Sequence, residues 1–252
     1  MSRPASPVRA VAAMTAMELR LVLRRGENLF ATIVIPTIVL VLFSSVSILP
    51  TGAARPVDFL LPGAIALGIV ATSLVSLGIT TAYDRYYGVL KRLGGSPLSR
   101  PELIAAKIAA VLVVETVQVA LLVAVAALGL GWHAPAGASW GLVVVSVLQG
   151  TLAFAGIGLL LAGLLRAETM LAVANVLFVL SLVLGGIVVP IDHLPAPLAA
   201  IAGALPAAPL ADALRVALGA SPAPPDAAGS LALLAIWGVG AVVLAARTFR
   251  WE

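Results

Sequence analysis

The chain alternates between long apolar runs and short polar clusters, and the apolar runs predict its secondary structure. Six runs are long enough to cross a hydrocarbon core of about 30 Å as α-helices, which rise about 1.5 Å per residue. They cover residues 29–49, 59–83, 108–131, 140–165, 169–191 and 227–246. Five of them contain no charged residue, and the third contains only Glu115. The pattern predicts an all-α polytopic membrane protein with six transmembrane helices, in a single transmembrane domain over residues 1–252.

A further apolar region, residues 194–214, cannot form one continuous helix. It contains four prolines, which remove backbone donors and clash with the preceding turn: Pro195, Pro197, Pro206 and Pro209. We expect two short helices that break at Pro206 and form a re-entrant pair on the extracellular side. The alternative is a poorly ordered loop, which the apolar composition disfavours.

Residues 8–26 precede the first run and have the pattern of an amphipathic helix. Arg9, Arg20 and Arg24 share one face at helical spacing, and apolar residues share another. Such a helix is expected to lie in the headgroup layer, and the alternative is a plain basic leader. The late and long first apolar run is unlike a cleavable signal peptide.

The charges predict the orientation. Only 10% of the residues are charged, and thirteen of the fifteen Lys and Arg residues fall on one side of the predicted spans. Arg55 and Arg215 are the two on the other side. This positive-inside bias places both termini and the loop 84–98 in the cytoplasm. The chain has no cysteine, which excludes disulfides and thiolate sites.

The loop 84–98, with the sequence DRYYGVLKRLGGSPL, predicts an ordered element rather than a simple connector. We expect a short cytoplasmic helix that starts near Asp84 and ends at Gly94-Gly95, followed by a turn. Tyr86 and Tyr87 lie beside basic residues, a combination that favours a docking surface for another protein. The alternative is that these side chains pack on lipid headgroups.

These residues resemble the membrane subunit of a type-2 ABC exporter, a group that includes bacterial drug and antibiotic efflux permeases. The resemblance rests on the register of residues 84–93, on Pro97-Leu98-Ser99 with Glu102-Leu103, on the segment 185–215, and on the ending 247–251. It covers nearly the whole chain. Two positions depart from the family pattern: Tyr86 stands where Glu is common, and Val89 where Thr is common. The departure at Tyr86 suggests a partner surface that is less basic than usual.

The resemblance implies that residues 84–98 are the coupling helix that docks into a separate ATPase subunit. The residues that match the coupling motif are Asp84, Arg85, Tyr86, Gly88, Leu90, Lys91, Arg92 and Leu93. It also implies two ATPase copies carrying ATP and magnesium, and a second permease, identical or homologous, in the bacterial cytoplasmic membrane. The chain has no G-x-x-x-x-G-K-[ST] phosphate-binding motif, so we expect no enzyme activity and no bound cofactor.

Polar residues inside the spans are candidates for a substrate path. Glu115 and Gln118 lie three residues apart on one helix face, Gln149 lies deep in the fourth span, and Asn175 lies in the fifth. An ionisable group at this depth is costly, which favours a functional role for Glu115, and interhelical packing is the alternative. For Gln149 and Asn175 packing is favoured. Glycines along the fourth span predict close helix contacts.

Two other function classes remain open from the residues alone. A proton-coupled carrier could use Glu115, although no internal repeat of the kind common in carriers is visible. A non-transport membrane scaffold would explain the spans but leave the docking loop unexplained. A metal site is disfavoured by two isolated histidines, and nucleic-acid binding by basic residues that flank membrane spans. The exporter interpretation favours an amphiphilic drug, antibiotic or lipid as the substrate.

Overall fold

The computed structural model describes residues 6–24, 26–46, 53, 55–220 and 226–248, with the side chains of residues 27–31 outside this set. Every regular element in these ranges is a helix. In chain order they are α1 (Pro7–Arg24), α2 (Gly26–Ser45), α3 (Pro56–Ile69), a π-helical segment (Val70–Ser76), α4 (Leu77–Tyr86), α5 (Val89–Gly94), α6 (Arg100–Gly129), α7 (Trp140–Leu164), α8 (Ala167–Leu184), a 3-10 turn (Ile191–His193), α9 (Ala196–Ala204), α10 (Ala207–Ala217) and α11 (Ala227–Thr248).

Five helices of the described chain are long and apolar enough to cross a membrane. They are the continuous helix from α3 through the π segment to α4, and α6, α7, α8 and α11. Helix α2 takes the place of the first predicted span, and its apolar part with described side chains is Thr32–Ser45. Residues 47–49, the end of that predicted span, lie outside the described residues. The prediction of an all-α polytopic membrane protein is confirmed.

The region predicted to break at Pro206 forms two short helices. Helices α9 and α10 are bent by 78° at Leu205 and Pro206. Arg215 of α10 is almost fully buried, and its guanidinium lies 3.9 Å from the ring centroid of Phe59 in α3. It also donates to Asp212 at 3.0 Å and to the carbonyl of Gly186. The contact with Phe59 attaches α10 to α3, and the bond to Gly186 attaches it to the segment that follows α8.

Two predicted boundaries are wrong. Helix α8 ends at Leu184 rather than near 191, because Gly185 follows and Gly186 adopts a φ of 64°, a left-handed conformation that terminates helices. The helix of the 84–98 loop begins at Val89 rather than Asp84, which belongs to the last turn of α4. The cause is again a left-handed glycine, Gly88, with a φ of 70°.

The helix from Pro56 to Tyr86 forms the centre of the bundle and is the most buried of the spans. Helices α2, α6, α7 and α10 pack around it, and α11 covers the outer side of α7. Gly158 permits a close approach of α7 to the π segment, because a Cβ there would lie 2.9 Å from the carbonyl oxygen of Ser73. The predicted role of the α7 glycines as packing positions fits this contact.

Candidate coupling site

The loop between α4 and α6 has a defined geometry that follows from its sequence. Gly88 allows the left-handed turn that separates α4 from α5. After α5, the Ser99 side chain and Glu102 form a reciprocal capping box that starts α6. Ser99 Oγ lies 3.4 Å from the Glu102 backbone nitrogen, and the Ser99 backbone nitrogen donates to Glu102 Oε2 at 2.7 Å. The loop is therefore an ordered element with fixed ends.

The inner face of α5 packs on two other helices. Leu90 is 1% exposed and belongs to a cluster with Met14 of α1 and with Leu103 and Ala106 of α6. Leu93 packs against the same cluster. A six-residue helix is too short to be stable alone, so this apolar contact is needed to hold α5 in place.

An ionic cluster lies next to this apolar contact. Lys107 of α6 is 1% exposed, and its Nζ lies 2.8 Å from Glu18 Oε1 and 3.1 Å from Asp84 Oδ2. Glu18 belongs to α1 and Asp84 to the last turn of α4. We call Glu18, Asp84 and Lys107 the ionic cluster. It joins α1, α4 and α6.

Arg85 is also used inside the subunit. Its guanidinium donates to the carbonyl oxygens of Gly163 and Leu165 at the C-terminal end of α7. These are carbonyls that a helix end leaves without intrahelical partners, and a cation there also interacts favourably with the helix dipole. Arg85 therefore fastens the end of α4 to the end of α7.

The outer face of the loop is aromatic and basic. Tyr86 and Tyr87 are 65% and 66% exposed, with ring centroids 5.1 Å apart, and Tyr83 contacts both rings. Lys91 and Arg92 on the following helix, α5, are also exposed. We call Tyr86, Tyr87, Lys91 and Arg92 the coupling surface. Exposed tyrosines and arginines are the residue types that dominate the energetics of protein interfaces.

The eight predicted coupling residues thus divide by position. Tyr86, Lys91 and Arg92 face outward, and Gly88 makes the turn. The other four face inward: Leu90 and Leu93 pack on neighbouring helices, and Asp84 and Arg85 bind groups within the subunit. Sequence reasoning missed Glu18 and Lys107 as partners of this loop. The signal in the sequence was Lys107 itself, a charged residue in the otherwise apolar part of the helix that starts at the capping box.

A second polar site lies deep in the bundle, where the π segment meets α6 and α7. Ser73 donates to Glu115 Oε1 at 2.6 Å, and the Thr151 hydroxyl contacts Glu115 Oε2. The Glu115 side chain has no exposed surface. Its oxygens therefore have hydrogen-bond partners, as burial of a polar group requires.

Gln118 continues this polar site one turn further along α6. Thr72 donates to its Oε1 at 3.2 Å, and its Nε2 donates to the backbone carbonyl of Thr32 at 2.6 Å. Gln118 is 1% exposed. Two consecutive residues of the π segment, Thr72 and Ser73, thus bind the two polar side chains of α6. The site joins α2, the π segment, α6 and α7.

The other two predicted path residues lie elsewhere. Asn175 is exposed on α8, donates to the Leu171 carbonyl, and lines a groove of about 210 Å³ together with Thr32 and Ser76. Gln149 is half-buried on α7, two residues from Thr151, and within the described ranges its buried Oε1 has no hydrogen-bond partner. The structure therefore places Glu115 and Gln118 in one polar site, while Gln149 and Asn175 lie outside that site.

No group of three or more His, Asp or Glu side chains in the described ranges could hold a metal ion. The ending that resembles the family from residue 249 onward lies outside the described residues.

Comparison with known proteins identifies the family. A family model described as ABC-2 type transporter matches residues 9–218, which is most of the chain. No curated protein matches the sequence. The matched region includes the ionic cluster, the coupling surface and the buried polar site, and most of the helices that are long enough to span a membrane. The chain therefore belongs to the ABC-2 type transporter family and is the permease component of an ABC transporter.

Proposed function

We propose that this permease is half of the membrane part of an ATP-driven exporter in the bacterial cytoplasmic membrane. A second permease, identical or homologous, completes the membrane part, and two ATPase subunits bind on the cytoplasmic side. These ATPase subunits bind ATP and magnesium. Both termini of the permease are cytoplasmic, and the exported substrate is an amphiphilic drug, antibiotic or lipid-like molecule.

The observation that carries this proposal is the coupling surface. Its tyrosines and basic residues are exposed, while the opposite face of α5 is buried against α1 and α6. A short helix that is packed on one face and exposes large side chains on the other can be displaced by a partner protein that binds the exposed side chains. Its aromatic centre and basic rim fit an ATPase groove that is apolar with an acidic rim.

The proposed substrate path lies on the outside of the subunit rather than through its interior. Glu115 and Gln118 are sealed within the bundle, whereas Asn175 lines a groove with Thr32, Ser76 and several apolar residues. Such a mixed groove suits an amphiphile, which offers both apolar and polar groups. The alternative of a proton-coupled carrier has less support, because Glu115 is sealed and satisfied by neighbouring hydroxyls.

The test is recovery of the partner. The tagged permease is expressed with its chromosomal neighbours, extracted gently, and analysed by native mass spectrometry. We expect one ATPase subunit per permease and two permeases per complex. The double variant Tyr86→Ala/Arg92→Glu is expected to lose the ATPase subunit while it still inserts into the membrane. Recovery of the wild-type permease without any ATP-binding subunit would contradict the proposal.

The choice of variant follows from the geometry. Substitutions at Gly88 or Leu93 would also disturb the loop itself, since Gly88 needs its left-handed conformation and Leu93 packs on a neighbouring cluster. Exposed side chains avoid this difficulty. Trp140→Ala provides the matched control, because Trp140 is an aromatic residue, 49% exposed, at the other end of the subunit. It should retain the ATPase subunit.

A further inference from the structure

The coupling surface is connected to the rest of the subunit by two adjacent layers of contacts. One is the apolar layer in which Leu90 meets Met14 and Leu103. The other is the ionic cluster, one turn further along both α1 and α6, since Glu18 follows Met14 by four residues and Lys107 follows Leu103 by four. Residues of α1 and α6 take part in both layers.

Through these contacts α1 packs along the first half of α6. Besides the Glu18–Lys107 ion pair, the Thr15 hydroxyl lies 3.3 Å from the Ala106 carbonyl oxygen. Further along both helices, Leu21 and Val22 share a small cavity with Val111. Helix α1 is thus joined to the bundle at several points.

The ionic cluster is unusual because its central cation is completely enclosed. Lys107 is 1% exposed, whereas lysine is almost never fully buried unless it is paired. Its two carboxylates come from different helices that are far apart in sequence, and both are themselves only slightly exposed, at 14% and 13%. Removing one partner leaves Lys107 with an incompletely compensated charge, which is strongly unfavourable in a buried site. The cluster therefore opposes separation of α1 from the end of α4.

The position of Asp84 gives this constraint a consequence for α5. Asp84 lies four residues before Gly88, whose left-handed turn is the direct chain connection to α5. A short helix that follows a glycine turn has little orientation of its own. The direction of α5 must therefore be set by the contacts with α1 and α6 and by the position of the α4 end that Asp84 fixes.

We propose that Lys107 is a positioning residue for coupling: through Glu18 and Asp84 it holds α1, the end of α4 and α5 as one rigid unit, so that displacement of the coupling surface is passed to α1 and the spans. This inference rests on the proposed function, because it assumes that an ATPase subunit displaces α5. It concerns residues that do not touch the ATPase. Their loss should leave binding of the ATPase intact and change only the transmission of movement.

The absence of cysteine from the chain makes a direct measurement possible. Cysteines introduced at exposed positions Ala12 of α1 and Gly94 of α5 can carry spin labels in an otherwise thiol-free permease. The distance between the labels is measured by pulsed electron paramagnetic resonance in the complete permease–ATPase complex. It is recorded without nucleotide and after trapping with ATP, magnesium and vanadate.

For the otherwise wild-type pair we expect one narrow distance distribution that is the same in both states. For Glu18→Gln and for Asp84→Asn we expect a broadened distribution that shifts on nucleotide trapping, with the population at the wild-type distance reduced about fivefold or more, a change typical of coupled sites. Glu18→Asp, which keeps the charge, should largely restore the narrow distribution. Glu168→Gln removes an exposed carboxylate in the first turn of α8 and is the matched control.

The outcomes separate this inference from the proposed function. Narrow and nucleotide-independent distributions in both Glu18→Gln and Asp84→Asn, with the ATPase still bound, would overturn the role of Lys107 and leave the proposed function standing. Loss of the ATPase from both cluster variants would also overturn it, because the cluster would then act on binding. A wild-type preparation that lacks any ATPase subunit would overturn the proposed function and this inference with it.

Discussion

Arg85 offers a sharp test of the division between internal and outward residues in the coupling motif. It belongs to the same short motif as Arg92, yet the two side chains have different surroundings. The Arg85 guanidinium donates to two carbonyl oxygens at the end of α7, and Arg92 lies exposed on α5. We predict that Arg85→Gln destabilises the subunit and that Arg92→Gln weakens ATPase binding instead.

The magnitude follows from the contacts. A hydrogen bond from a charged donor contributes about 1.5–3 kcal/mol to stability. Arg85 is only partly buried, which favours the lower value for each of its two bonds, so their loss should lower the free energy of unfolding by about 3 kcal/mol. For a chain of this size 1 kcal/mol corresponds to a shift in Tm of about 2–4 °C, and the expected fall is therefore roughly 6–12 °C. Arg92→Gln should shift Tm by less than about 2 °C, as surface substitutions usually do.

The assay is thermal unfolding of the purified permease, followed by the fluorescence of its four tryptophans, since thiol-reactive dyes have no cysteine to label. Co-purification of the ATPase subunit is measured on the same variants. If Arg85→Gln unfolds at the wild-type temperature and loses the ATPase, then Arg85 acts at the docking interface and the assignment of its carbonyl partners is refuted.

Two further predictions concern the interior of the bundle. Gly158→Ala places a Cβ 2.9 Å from the Ser73 carbonyl oxygen and should destabilise the subunit by about 1–3 kcal/mol through overpacking. The control Gly240→Ala has open space around its Cβ and should be neutral or slightly stabilising. Equal Tm values for the two variants would contradict the close approach at Gly158. Glu115→Gln keeps a hydrogen-bonding group for Ser73 at a site that is sealed from the groove, so we expect normal expression, normal Tm and unchanged resistance of cells to cationic amphiphiles. A loss of resistance at normal expression would contradict this and would place Glu115 in the substrate path.

Much of the architecture could be predicted from the sequence, because it depends on local patterns. Five of the six apolar runs correspond to helices of membrane-spanning length, and the proline content of residues 194–214 required the break that the structure has at Leu205 and Pro206. The capping box at Ser99 and Glu102 is a local signal for the start of α6. The boundary errors at residues 84 and 191 arose at glycines whose left-handed conformation is one of several that glycine can adopt.

The site itself depended on contacts that no local pattern contains. Lys107 meets Asp84 across 23 residues, and Arg85 meets Gly163 across 78. In a soluble protein the polar face of a helix shows which side meets water, but a membrane-spanning helix is apolar both where it meets lipid and where it meets protein. The sequence alone therefore determined which segments are helical and which loop carries the charge. Only the tertiary structure decided which of those charges are exposed and which are buried between helices, since that choice depends on which apolar faces pack together.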